Sequence, residues 1–169
     1  PVFNLCYRML GTAVEAEDAA QESFWRAYNA IKKYDPQRSF PTWLLSIAAH
    51  YCIDQQRRRR LPLTELDEVL EETAPDHNTP NPEHAAIENE YQDQIQNLLA
   101  TLPELDRAVV VLRYWQDSSE EEISQALNIS VSAVKSRLHR ARKKLANTWE
   151  SQNTVTNHVE RMQNGSPAF

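Results

Sequence analysis

Glycine is nearly absent, at 2 of 169 residues. Two glycines cannot supply the positive-φ turns of a many-stranded β protein. Rossmann and P-loop readings fall with them, because both need glycines at close spacing. Cysteine is equally scarce. Cys6 and Cys52 stand alone in apolar stretches, with no Cys or His at zinc spacing. They read as buried reduced thiols, neither a disulfide framework nor a metal site. No apolar run approaches the ~20 residues of a membrane span, so no membrane insertion is expected. No secretory signal is visible, and a cytoplasmic protein is expected. No nucleophile–base pair or paired catalytic carboxylates can be picked out, so neither an enzyme nor a cofactor is expected. Glu120-Glu121-Glu122 suits the first turn of a helix better than a metal site, because acids favour the positive end of the helix dipole.

Basic residues are absent from one long stretch. Residues 61–97 hold no Lys or Arg and 10 acids. Residues 1–60 carry 9 basic and 6 acidic side chains, and residues 98–150 carry 8 and 7. The overall charge of −6 thus hides two mildly basic ends around an acidic middle. Pro62, Pro75, Pro80 and Pro82 collect in that middle, with Asp76, Asn78 and Asn81. Proline at this density ends helices, and like charges repel. Elsewhere Ala, Leu, Glu, Gln and Arg are plentiful, which favours helix. The expected fold is all-α: two small helical domains, 1–60 and 91–150, joined by an acidic flexible linker, 61–90, with a polar tail, 151–169.

In the first domain, Thr12-Ala13-Val14-Glu15 fits a capping box opening a helix that runs to about Ile31. Ala20, Phe24, Ala27 and Ile31 fall at core spacing. Asp18, Gln21, Glu22 and Trp25 share another face. There the Trp either packs on a neighbouring helix or belongs to a protein-docking surface, where Trp is enriched. Tyr34 to Ser39 is a loop. The next helix has Leu44, Ile47, Ala48 and Tyr51 as its inner face and ends in Arg57-Arg58-Arg59-Arg60. Tyr34, Phe40 and Trp43 beside cationic residues are what single-stranded nucleic acid needs, rings for bases and charge for phosphates.

In the second domain, Leu105, Ala108, Val109 and Leu112 face inward after Pro103. Residues 119–142 then fit a helix, a short turn and a second helix. Asn128 can take the left-handed conformation the turn demands. Ser130 or Ser132 can cap the second helix. Val134, Leu138, Ala141 and Leu145 form its inner stripe. Lys135, Ser136, His139 and Arg140 occupy its outer face, with Arg137, Arg142, Lys143 and Lys144 adding charge beside it. Polar and basic side chains near a helix N-terminus suit base edges in a major groove, and flanking basics suit phosphates.

Leu102-Pro103-Glu104-Leu105-Asp106-Arg107, Leu112-Arg113-Tyr114-Trp115, Glu121-Glu122-Ile123 and residues 134–142 closely resemble the fourth conserved region of extracytoplasmic-function (ECF) sigma factors. Residues 18–24 and 40–48 resemble that family's second region. The resemblance implies a bacterial RNA polymerase initiation subunit whose partners are core RNA polymerase, at the β′ clamp helices and the β flap, and promoter DNA. It admits an anti-sigma factor as a further partner. It matches Asp18, Gln21, Glu22 and Phe24 to the block that faces polymerase, with Phe24 largely core, and Trp25 lies beside that block and is expected to join it. Tyr34, Gln37, Arg38, Ser39, Phe40, His50, Arg57 and Arg58 would serve the −10 element, the Tyr34–Ser39 loop capturing a flipped base of the single strand and Arg57 to Arg60 lying near upstream duplex phosphates. Lys135, Ser136, Arg137, His139 and Arg140 would serve the −35 duplex. His50 stands where the family usually has Asn, which bears on −10 base preference. Ser124 and Asn128 replace the usual Ala and Gly of the turn. The family has a further helical segment upstream, so part of the first domain is expected to precede Pro1. The acidic linker is expected to occupy nucleic-acid-binding channel surface and to weaken binding to free DNA.

Overall fold

A computed structural model describes residues 1–60 and 82–163. The linker expectation for residues 61–81 lies outside the described residues, as does that for the last six of the tail. The rest is helical: α1 (Val2–Leu10), α2 (Ala13–Ala30), α3 (Phe40–Arg60), α4 (Pro82–Ala100), α5 (Glu104–Trp115), α6 (Glu120–Leu127) and α7 (Val131–Gln163). Helix therefore already begins inside the stretch expected as linker, and α7 continues past residue 151 into the expected tail.

The chain punctuates these helices with local chemistry. Gly11 ends α1 at φ +104°, its N–H bonded to the Tyr7 carbonyl, a conformation that β-carbons disfavour. Thr12 caps α2 by accepting the Glu15 N–H. The reciprocal half of that capping box is missing, because the Glu15 carboxylate pairs with Arg59 at the far end of α3. Asp117 and Asn128 take left-handed φ values of 51° and 52°, supplying the turns that glycine would otherwise make.

α1, α2 and α3 pack together, and α5, α6 and α7 pack together. In α2 the inward stripe is Ala16, Ala19, Ala20, Ser23 and Ala27. Phe24 and Ile31, expected in the core, are 54% and 46% exposed. The small residues let α1 and α3 approach closely, and the Phe is rotated outward. α3 is likewise turned from its expected register. Leu45, Ala48, Ala49, Cys52 and Ile53 are buried, while Leu44, Ile47 and Tyr51 are only half-buried. Cys6 and Cys52 are free, fully buried thiols.

The two halves also pack on each other. α1 and α3 both contact α5, and α3 lies along α6. α5 is buried through five consecutive residues, Ala108 to Leu112. A helix apolar on all sides is covered on all sides, here by α7 on one side and the first half on the other. Burial stabilises by roughly 1.5–3 kcal/mol for each such Val or Leu side chain. Polar contacts cross the same seam. Arg107 Nη1 donates to the Met9 carbonyl at 2.7 Å, Arg60 pairs with Glu104 at 2.7 Å, and Gln96 donates to the Tyr7 carbonyl at 2.5 Å.

Candidate nucleic-acid and polymerase interfaces

The helix-turn-helix of α6 and α7 is built around Ile123, Leu127, Val134 and Leu138, all buried. Ser119 and Glu122 form a complete capping box. The Ser119 N–H, bonded to the carboxylate at 2.8 Å, holds the Glu122 carboxyl below the ordinary glutamate value. At the turn, Ser124 Oγ donates to the Ile129 carbonyl at 2.5 Å, and the Ile129 N–H returns to the Ser124 carbonyl. Ser130 caps α7 through the Ala133 N–H at 3.2 Å. This fixes the angle at which α7 leaves the turn.

Lys135, Ser136, His139 and Arg140 all lie exposed on that helix. Ser136 Oγ donates to the Ser132 carbonyl at 2.9 Å, so its oxygen lone pairs face outward. Lys135 is 3.5 Å from Glu120, a surface pair that DNA phosphate can outcompete. Arg137 is placed differently. Its guanidinium is 2.5 Å from Asp106 of α5, with side-chain exposures of 27% and 10%. It ties α7 to α5 and presents little charge outward.

In the first half, Tyr34, Phe40 and Trp43 form one cluster, with ring centroids 5.0–5.6 Å apart. Tyr34 Oη donates to the Arg38 carbonyl at 2.5 Å. The Gln37 N–H bonds Asp35 Oδ1 at 3.0 Å, an Asx turn that shapes the loop. Gln37, Arg38, Ser39 and Phe40 are exposed on it. His50 is exposed on α3, with Nδ1 2.7 Å from the Ser46 carbonyl. Of the four arginines, Arg59 and Arg60 are held by Glu15 and Glu104. Arg57 is 4.0 Å from Asp54, and Arg58 has no ion pair among the described residues. The loop end of this face leans on the other half. Thr42 Oγ1 donates to Glu122 at 3.3 Å, and Arg38, Thr42, Trp43 and Ser46 line a narrow cleft with Gln125 and Ala126.

On α2, Asp18, Gln21 and Trp25 are exposed together, while the Glu22 carboxylate is 2.7 Å from Arg26. Trp25 is 61% exposed and stacks on Tyr28, itself 72% exposed. The Trp does not pack on a neighbouring helix. Tyr28 is an addition to the sequence reading, and its i+3 spacing from Trp25 was the available signal. A second feature missed in the sequence is an apolar hollow of about 330 Å³ between α4, α5 and α7, lined by Ile95, Leu98, Val110, Tyr114, Trp115 and Leu145.

Residues 1–61 match the Sigma-70 region 2 family, and residues 92–145 match the Sigma-70, region 4 family. The chain is 40% identical over 156 residues to the ECF RNA polymerase sigma factor SigW of Bacillus subtilis, covering 85% of this chain and 80% of that protein. The chain belongs to the ECF sigma factor family. Two solved complexes share the fold of this sigma factor. CnrH bound to the cytosolic domain of CnrY superposes with a TM-score of 0.65 at 24% identity, covering 89% of this chain and 81% of that one. RpoE bound to the anti-sigma factor NepR from Bartonella quintana gives 0.64 at 18%, covering 88% and 89%. The sigma factor thus carries its two matched regions on the two helical halves, and no helix among the described residues is long and apolar enough to cross a membrane.

Proposed function

We propose that this ECF sigma factor binds bacterial core RNA polymerase, directs it to promoters and helps open them. It reads the −35 element as duplex and the −10 element as single strand. The observation that carries this reading is the presence, in a family member, of two separate exposed faces of different chemistry. The α7 face offers Lys135, Ser136, His139 and Arg140 in the manner of a recognition helix. The loop and the first turn of α3 offer the rings of Tyr34, Phe40 and Trp43 beside Arg38, with Arg57 to Arg60 at the opposite end of α3. Extruding a base costs a few kcal/mol. Stacking on rings returns about 1–3 kcal/mol per base, so capture and melting need no bond chemistry from this protein. Its work belongs in the cytoplasm, where template and core enzyme meet.

Trp25 and Tyr28 with Asp18 and Gln21 suit docking on the β′ clamp, since exposed aromatics anchor interfaces. The apolar hollow on the second half suits the β flap. An anti-sigma factor is a further proposed partner, as the RpoE complex with NepR illustrates for its own protein. Reading both elements requires the halves to part. The −35 and −10 elements lie about 25 base pairs, or ~85 Å, apart. A folded chain of this length has a radius of gyration of only about 15 Å. The test is binding of holoenzyme to fork-junction promoter DNA. Arg140→Ala should weaken only templates with a −35 element, and Phe40→Ala only those with an exposed −10 strand. Equal loss on every template would contradict the assignment of two faces.

A further inference from the structure

Arg8 lies in the last turn of α1 and is only 7% exposed. Its guanidinium sits in the seam between the two halves. Nη2 donates to Gln92 Oε1 and Nη1 to Gln96 Oε1 at 3.5 Å, both on α4. Two rings flank it: that of Tyr7, its own neighbour, with the centroid 5.7 Å away, and that of Trp115 at the end of α5, 5.2 Å away. Nε is buried without a partner. No carboxylate pairs with the group among the described residues.

The other cations that cross the seam are compensated. Arg60 meets Glu104 at 2.7 Å. Arg107 donates to the carbonyls of Met9, Ala100 and Leu102, the first two near helix C-termini, where the dipole is negative. Around Arg8 there are neutral amides and rings. They supply hydrogen bonds and cation–π attraction, but they do not neutralise a charge taken out of water. Burial accordingly holds the guanidinium below the ordinary arginine value. The dipole of α1 favours a cation at this end, and it acts equally whether the halves are joined or parted. Parting them takes Trp115 and both glutamines away from Arg8 and gives the guanidinium water in exchange. Apolar burial along α5 draws the halves together, and the Arg8 charge opposes it.

We propose that Arg8 is a built-in destabiliser of the closed seam, an uncompensated buried charge that keeps the halves separable so that polymerase can part them. The proposal rests on the polymerase reading above and adds the group that sets how often the free chain opens. An unbranched apolar side chain would pack there without the desolvation cost, and buried charges replaced in this way often leave a fold more stable. The experiment counts open molecules of the free full chain by single-molecule energy transfer between dyes at Gln37 and Gln125, both exposed, and measures binding to core polymerase by titration. Arg8→Met removes the charge. Gln92→Glu keeps it and supplies the missing counter-charge, at an exposed position where substitution does not threaten the fold. These opposite changes should act alike. The open fraction should fall by about five- to tenfold, the lower end for a buried charge because Gln92 opens to solvent. The apparent Kd for polymerase should rise by the same factor, because affinity scales with the competent fraction. In the double variant the carboxylate has no cation to meet, so the effect of Gln92→Glu should vanish against an Arg8→Met background. An open fraction unchanged or raised in either single variant would overturn the proposal. So would weaker polymerase binding without fewer open molecules, the mark of a direct contact between Arg8 and polymerase. If wild type did not bind polymerase at all, the reading above would fall, while the open fractions would still decide the role of Arg8.

Discussion

Replacing Arg137 with alanine should cost fold stability more than DNA contact. Its guanidinium lies 2.5 Å from Asp106, and the Asp side chain is only 10% exposed. Truncating the Arg leaves a nearly buried carboxylate without its partner. Breaking a fully buried pair costs about 3–5 kcal/mol, and an exposed pair about 0–1. Arg137, at 27% exposure, falls between, so about 2–3 kcal/mol is expected. For a chain of this size each kcal/mol moves Tm by roughly 2–4 °C, which gives a drop of about 5–10 °C by circular dichroism. Arg140→Ala, on the exposed face, should stay within about 0.5 kcal/mol of wild type. Removing Asp106 as well should recover part of the loss, since contacting residues are not additive. A Tm for Arg137→Ala within about 2 °C of wild type would refute the reasoning and return Arg137 to the DNA-facing set.

The Glu122 carboxyl, held below its ordinary value by the Ser119 N–H, stabilises the fold above the unfolded glutamate pKa of about 4.3. That contribution should be lost as pH falls through the folded value, and a Glu122→Gln variant, compared by denaturant titration, should lack this step. Trp25→Ala should leave Tm unchanged in a thermal melt and weaken core polymerase binding, read by fluorescence titration, by about tenfold or more, as loss of an interface anchor does. Dyes placed at Gln37 and Gln125, both exposed, should report short separation in the free protein and a large increase on holoenzyme formation. Cys6 and Cys52 should resist thiol reagents until denaturant is added. Both are fully buried, and the hydrogen bond to Cys6 together with burial pushes the Cys52 thiol up.

Much of this was legible in the residues. Helix content followed from composition, the helix-turn-helix from the stripe Val134, Leu138, Ala141 and its outer basic face, and the left-handed turn from Asn128. The register of α2 was not, because large residues were assumed to point inward. Here alanine and serine face the core, since α1 and α3 sit close, and Phe24 is left outside. The packing of the two halves was hidden in α5. Val109-Val110-Val111 departs from amphipathic spacing, and only a helix covered from both sides has use for it. Arg137 was read by charge alone, whereas Asp106, 31 positions away, captures it. Long-range pairing of that kind leaves no local pattern.

Run-off transcription with purified bacterial core polymerase, with and without this protein, on templates bearing intact or scrambled −35 and −10 elements, tests the central claim most directly. The account predicts transcripts that need the protein and both elements and begin at one site, with loss on scrambling either element. Transcription that is no greater in its presence than with core enzyme alone, on any promoter tried, would contradict it.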